Sequence, residues 1–67
     1  MLIIYEEAAM EAAIPAAASY RKKGKAVILE KKDRNLEDYI AMASDQSIGC
    51  VLYYETGDSV RDLTKGQ

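Results

Sequence analysis

The sequence predicts a small α/β domain: a mixed, mostly parallel sheet with helices packed on it, elements in the order β-α-β-α-β-β and strands in the spatial order 2-1-3-4. Three observations predict it. Residues 2–5 and 26–29 are unbroken apolar runs rich in branched side chains and bounded by charge, as strands covered on both faces are. A segment with helical spacing follows each run, which makes the strands parallel neighbours. Residues 48–54 and 59–63 are separated only by the turn Glu55-Thr56-Gly57-Asp58, so the last two strands pair antiparallel.

Taken in order, the first strand is Leu2-Ile3-Ile4-Tyr5, ended by Glu6 and Glu7. Residues 6–23 read as the first helix, with Ala9, Ala12, Ala13, Ala16 and Tyr20 stacked on one face. Glu6 and Glu7 suit the positive end of its dipole, while Arg21, Lys22 and Lys23 suit the other. Gly24 supplies a left-handed cap. Pro15 cannot donate to the carbonyl of Glu11 and costs about 3 kcal/mol in a regular interior. Either the helix kinks there, or it starts at Pro15 and residues 6–14 form a looser first turn.

The second strand, residues 26–29, is expected to be buried along its faces and to lie at one edge of the sheet. Lys25, Lys31 and Lys32 flank it, as charges do where pairing with another chain is discouraged. Asn35 opens the second helix with its side chain placed to cap the amide near Asp38; Leu36, Tyr39, Ile40 and Ala43 make its apolar face. Truncating Tyr39 or Ile40 to Ala is expected to cost about 2–5 kcal/mol if that face is core. Residues 48–54 are the third strand, with Cys50 a core thiol in its middle and Tyr53 and Tyr54 half-buried.

Composition limits the chemistry. With 67 residues the chain is one domain with a thin core, and 49% apolar with 30% charged residues is the balance of an ordered protein. No His and a single Cys leave no disulfide, no zinc or transition-metal ligand set and no usual base for a nucleophilic hydrolase; no cofactor is expected. The position after the first strand holds Tyr5-Glu6-Glu7 where a phosphate site needs glycines, which argues against a dinucleotide fold or a P-loop. Phospho-acceptor receiver domains also gather carboxylates there, but the third strand runs into a hairpin rather than a third helix. Glu30 and Asp33 read as a solvated, charge-rich loop rather than an acid–base pair. A net charge of −2 gives no field for drawing nucleic acid or anionic lipid. The opening apolar run is too short for a membrane span or signal core, so a cytoplasmic location without membrane contact is expected. Both ends look cut, which predicts a fragment of a longer protein.

Two basic groups flank the second strand. Arg21, Lys22, Lys23 and Lys25 read as a helix end. Lys31, Lys32 and Arg34 share the carboxyl edge of the sheet, where open α/β folds bind ligands, with the Thr56-Gly57 turn. These three are the candidate partner- or RNA-binding residues; no catalytic residue is expected.

The order of elements, with Arg21-Lys22-Lys23-Gly24-Lys25-Ala26-Val27 entering the second strand, Asp33-Arg34-Asn35-Leu36 entering the second helix and Val60-Arg61-Asp62-Leu63-Thr64-Lys65-Gly66-Gln67 at the end, resembles the C-terminal, anticodon-binding-type domain of histidyl-tRNA synthetases. The same domain type occurs in the regulatory subunit of ATP phosphoribosyltransferase, a synthetase-like paralogue in histidine biosynthesis. The family tends to carry Lys and Gln where this chain has Glu37 and Asp38, and to have a longer acidic loop after the third strand. An acidic pair repels an RNA backbone. The resemblance therefore implies a non-catalytic domain of the regulatory subunit, acting in assembly with the catalytic subunit through an oligomeric parent. The other implication is an anticodon-binding module of a synthetase, in which Lys31, Lys32 and Arg34 contact tRNA phosphates and Tyr53 or Tyr54 stacks on a base.

Overall fold

The computed structural model describes residues 1–63; Thr64, Lys65, Gly66 and Gln67, the end of the last segment quoted above, lie outside the described residues. The central strand β1 is Leu2–Tyr5. A 3-10 turn, Glu7–Ala9, leads into helix α1, Met10–Lys22. Strand β2 is Ile28–Lys31, helix α2 is Leu36–Asp45, and strands β3 (Val51–Thr56) and β4 (Ser59–Asp62) form a hairpin. The sheet has the order β2-β1-β3-β4; β1 is parallel to both neighbours and β4 antiparallel to β3, as expected.

That order places the helices. The chain steps from β1 out to β2, then back across β1 to β3, and two right-handed crossovers in opposite directions leave α1 and α2 on opposite faces. Alternation along β1 then divides the core in two. Leu2 and Ile4 meet Tyr39 and Ala43 of α2, with Val51 and Tyr53 beside them. Ile3 meets Ala9, Ala13 and Ala17, with Tyr54 beside it. These alanines, four residues apart, are fully buried, because a side chain of one methyl lets the helix backbone settle close to the sheet.

Both helices end in the same backbone device. After α1, the Lys25 N–H donates to the Tyr20 carbonyl (3.1 Å) and the Gly24 N–H to Arg21 (3.0 Å), with Gly24 left-handed at φ 90°, as predicted. After α2, the Ile48 N–H donates to Ala43 (2.8 Å) and the Ser47 N–H to Ser44 (3.2 Å), but here the left-handed residue is a serine, at φ 58°. At the start of α2 the Asn35 side chain makes no capping bond; its carbonyl takes the Asp38 N–H at 3.0 Å.

Several boundaries differ from expectation. The first helix neither spans 6–23 nor starts at Pro15: it begins at Met10 and runs through Pro15, whose exposed side leaves the Glu11 carbonyl near water. Strands β2 and β3 begin two and three residues later than predicted. The reason is β1, which offers only Leu2 to Tyr5 for pairing, so its neighbours are held to Ile28–Lys31 and the segment from Val51. Cys50 therefore precedes β3, half-buried, instead of lying mid-strand. Nor is β2 buried: Ile28, Glu30 and Lys31 are exposed, since an edge strand has one neighbour and neither helix reaches over its full width. On α2, Met42 rather than Ile40 joins Leu36, Tyr39 and Ala43 against the sheet. In the hairpin, Tyr54 faces Val60 and Thr56 faces Ser59, so Glu55 is an extra residue that forms a bulge.

Candidate functional site

In an open sheet of this kind the ligand crevice lies outside the carboxyl ends of the strands where adjacent connections part to opposite faces, here between β1 and β3. The backbone draws the two strand exits together there: the Glu6 N–H donates to the Tyr54 carbonyl (3.0 Å) and, on the other side, the Lys32 N–H to the Tyr5 carbonyl (2.8 Å). The side chains that emerge engage one another. Tyr53 Oη donates to Glu6 Oε2 at 2.5 Å, and Lys32 Nζ stands 3.6 Å from the same carboxylate oxygen. One step outward, Lys31 Nζ donates to Glu7 Oε1 at 3.0 Å.

The third basic residue belongs to a neighbouring cluster. The Tyr39 hydroxyl accepts the Asp33 N–H (3.0 Å) and turns its own proton toward Asp33 Oδ1 (2.8 Å) or the Lys31 carbonyl (3.1 Å). The phenol thus fixes the connection between β2 and α2. Arg34 Nε lies 3.4 Å from Asp33 Oδ1, and its guanidinium sits 5.8 Å from the centre of the Tyr39 ring. Lys31, Lys32 and Arg34 are therefore brought to one edge, and each faces a carboxylate.

The electrostatics follow. The hydrogen bond to Glu6, then burial, pushes the Tyr53 phenol up to about 12. Burial raises Tyr39, and the hydrogen bond from Tyr39 holds the Asp33 carboxyl below its usual range. The hydrogen bond to Glu7, with that carboxylate's charge, raises Lys31. Tyr54 is raised by burial on the α1 side.

Sequence reasoning placed the three cations correctly on one edge but misread their surroundings. Glu6 and Glu7 were expected as partners of the first helix dipole; Glu6 instead precedes the 3-10 turn in extended backbone, and both carboxylates serve ion pairs. Tyr53 and Tyr54 were expected half-buried; both are buried, so neither offers a free ring face to a base. Glu30 was placed in a loop, yet it lies within β2. The roles of Tyr39 and Tyr53 were missed, because each depends on a contact across the fold; a hydroxyl on a buried aromatic, which needs a partner, is the signal that points to them.

At the opposite, amino edge, an open depression of about 350 Å³ is bordered by Met1, Lys25, Ala26, Gly49 and Cys50. Among the described residues there is no group of three or more metal-ligating side chains, and no helix is long and apolar enough to cross a membrane. Comparison with known protein families, with curated proteins and with solved structures finds no match to the chain.

Proposed function

We propose that the chain is a non-catalytic α/β domain of a longer cytoplasmic protein of the ATP phosphoribosyltransferase regulatory-subunit type, acting in assembly and regulation rather than in RNA recognition. The observation that carries this reading is the state of the carboxyl edge. Lys31, Lys32 and Arg34 are matched by Glu7, Glu6 and Asp33, so each cation at this edge stands beside a carboxylate rather than forming an unopposed basic surface. A phosphate backbone would have to displace those carboxylates, and it gains little counterion release from cations already neutralised. The buried tyrosines remove the stacking platform a base needs. The order of elements and strands agrees with the architecture the resemblance implies.

The anticodon-binding reading rests on one favourable observation, the convergence of Lys31, Lys32 and Arg34 at a single edge. One pair of measurements separates the two. The regulatory reading expects the chain to bind the phosphoribosyltransferase catalytic subunit and to show no saturable binding of histidine-specific tRNA between low and physiological salt. Saturable tRNA binding that weakens steeply with salt and is lost in Lys31→Ala would overturn it.

A further inference from the structure

The outer edge of β2 is open at its middle, Leu29, between a Val27 carbonyl that accepts from Arg21 and a Lys31 carbonyl that accepts from the Tyr39 hydroxyl. The N–H groups of Ile28 and Lys32 point inward, to the Met1 and Tyr5 carbonyls (2.9 and 2.8 Å). By alternation, Val27, Leu29 and Lys31 turn their N–H groups outward, and the Leu29 carbonyl turns with them. Arg21 confirms the direction for Val27, donating to its carbonyl at 3.1 Å. Two of the three lysines that should deter pairing face carboxylates of their own chain: Lys31 is drawn onto Glu7 and Lys32 onto Glu6.

The same side of the molecule carries an apolar flank. Met10, Ile14 and Arg21 fall on one stripe of α1, and Arg21 marks it as the stripe beside β2. Met10 is 41% exposed and Ile14 49%. The helix is acidic at its start, with Glu11 and the preceding Glu7, and basic at its end, with Arg21 and Lys22.

We propose that this edge is the interface for a second copy of the chain, related by a two-fold axis normal to the sheet, so that two β2 strands pair antiparallel and two α1 helices run antiparallel above them. The charge pattern selects this occupant. An antiparallel pair sets the acidic start of each α1 beside the basic end of the other and brings the two Ile14–Met10 flanks together. In the strand, a register centred on Leu29 places Ile28 opposite the second copy's Glu30, within the bounds of β2. A register centred on Glu30 opposes Glu30 with Glu30, which like-charge repulsion disfavours, and one centred on Ile28 makes its central pair without hydrogen bonds. In the favoured register Leu29 faces its own copy with outward N–H and C=O groups, the arrangement of a hydrogen-bonded antiparallel pair.

The test is sedimentation equilibrium of the full chain, combined with amide hydrogen exchange at low and high protein concentration. The expected result is a reversible dimer that weakens with salt, with protection of the Leu29 and Lys31 amides that rises with concentration. Ile14→Lys, an exposed position outside the core, should weaken dimerisation at least about tenfold while leaving the circular dichroism unchanged. Should that variant unfold, Met10→Lys makes the same test. A chain that stays monomeric at millimolar concentration, a dimer in which the Leu29 amide exchanges freely, or unchanged dimerisation in a folded Ile14→Lys would each overturn the proposal.

Discussion

Tyr53 lies under the crevice with its phenolic proton on Glu6, and that single contact has a pH signature. Because its folded pKa is raised from 10.0 to about 12, the stability it contributes is intact below pH 10 and lost as pH climbs through 12. Tyr53→Phe should cost about 1.5–3 kcal/mol at neutral pH, the net worth of a hydrogen bond to a charged acceptor. Urea unfolding from pH 8 to 12 checks both points: the variant should lose less stability than the parent across the alkaline range. Ser47 carries the opposite kind of adjustment. Its φ of 58° is the conformation that glycine adopts freely, and Gly24 fills the matching place after α1. Ser47→Gly should raise stability by about 0.5–1 kcal/mol, seen as an increase in Tm. The sequence marked Tyr53 only as a half-buried strand residue or a stacking ring and did not mark Ser47, since a tyrosine's partner and a helix's last backbone turn are set by atoms far away or by hydrogen bonds that composition does not record.

Among the elements, α1 shows how spacing and size act together. The sequence revealed its apolar face: Ala9 and Ala13 are buried and Ala12, Ala16 and Tyr20 pack against them, while Ala17, not among the residues read from the spacing, completes the buried row. Ala13 is fully buried in the cluster with Ile3 and Tyr54, so Ala13→Leu should cost about 1–3 kcal/mol by overpacking, measured as a drop in the urea midpoint. Strand limits were less legible than helix faces. Apolarity marked residues 26–29 and 48–54, whereas pairing marks Ile28–Lys31 and Val51–Thr56. A hydrophobic run records what is covered, and the length of the neighbouring strand decides what is paired. For Lys25 to Val27 the helix-exit bonds from Lys25 and Arg21 already claim the backbone.

For the whole molecule the decisive element is β1, legible from four consecutive apolar residues. Leu2, Ile3 and Ile4 are fully buried and alternate between the two half-cores. No half-core can form without it, so unfolding should be a single transition in which α1 and α2 are lost together. Ile4→Ala, although it touches only the α2 side, should cost about 2–5 kcal/mol, and the α1 amides should lose hydrogen-exchange protection to the same extent. The strand order was legible because connectivity and handedness restrict it. The pairing of Lys31 and Lys32 at the carboxyl edge was not, because it joins them to Glu7 and Glu6, more than twenty positions away.

The bulge at Glu55 gives the two rims of the sheet different characters. An extra residue in the hairpin bends a strand and strengthens the local twist, and a bulge of this kind makes the β4 rim a poorer template for further strands. With one rim a poor template and the other self-complementary, growth by strand addition has nowhere to continue after a first encounter. An assembly built this way closes on itself and stays finite instead of extending into a fibre.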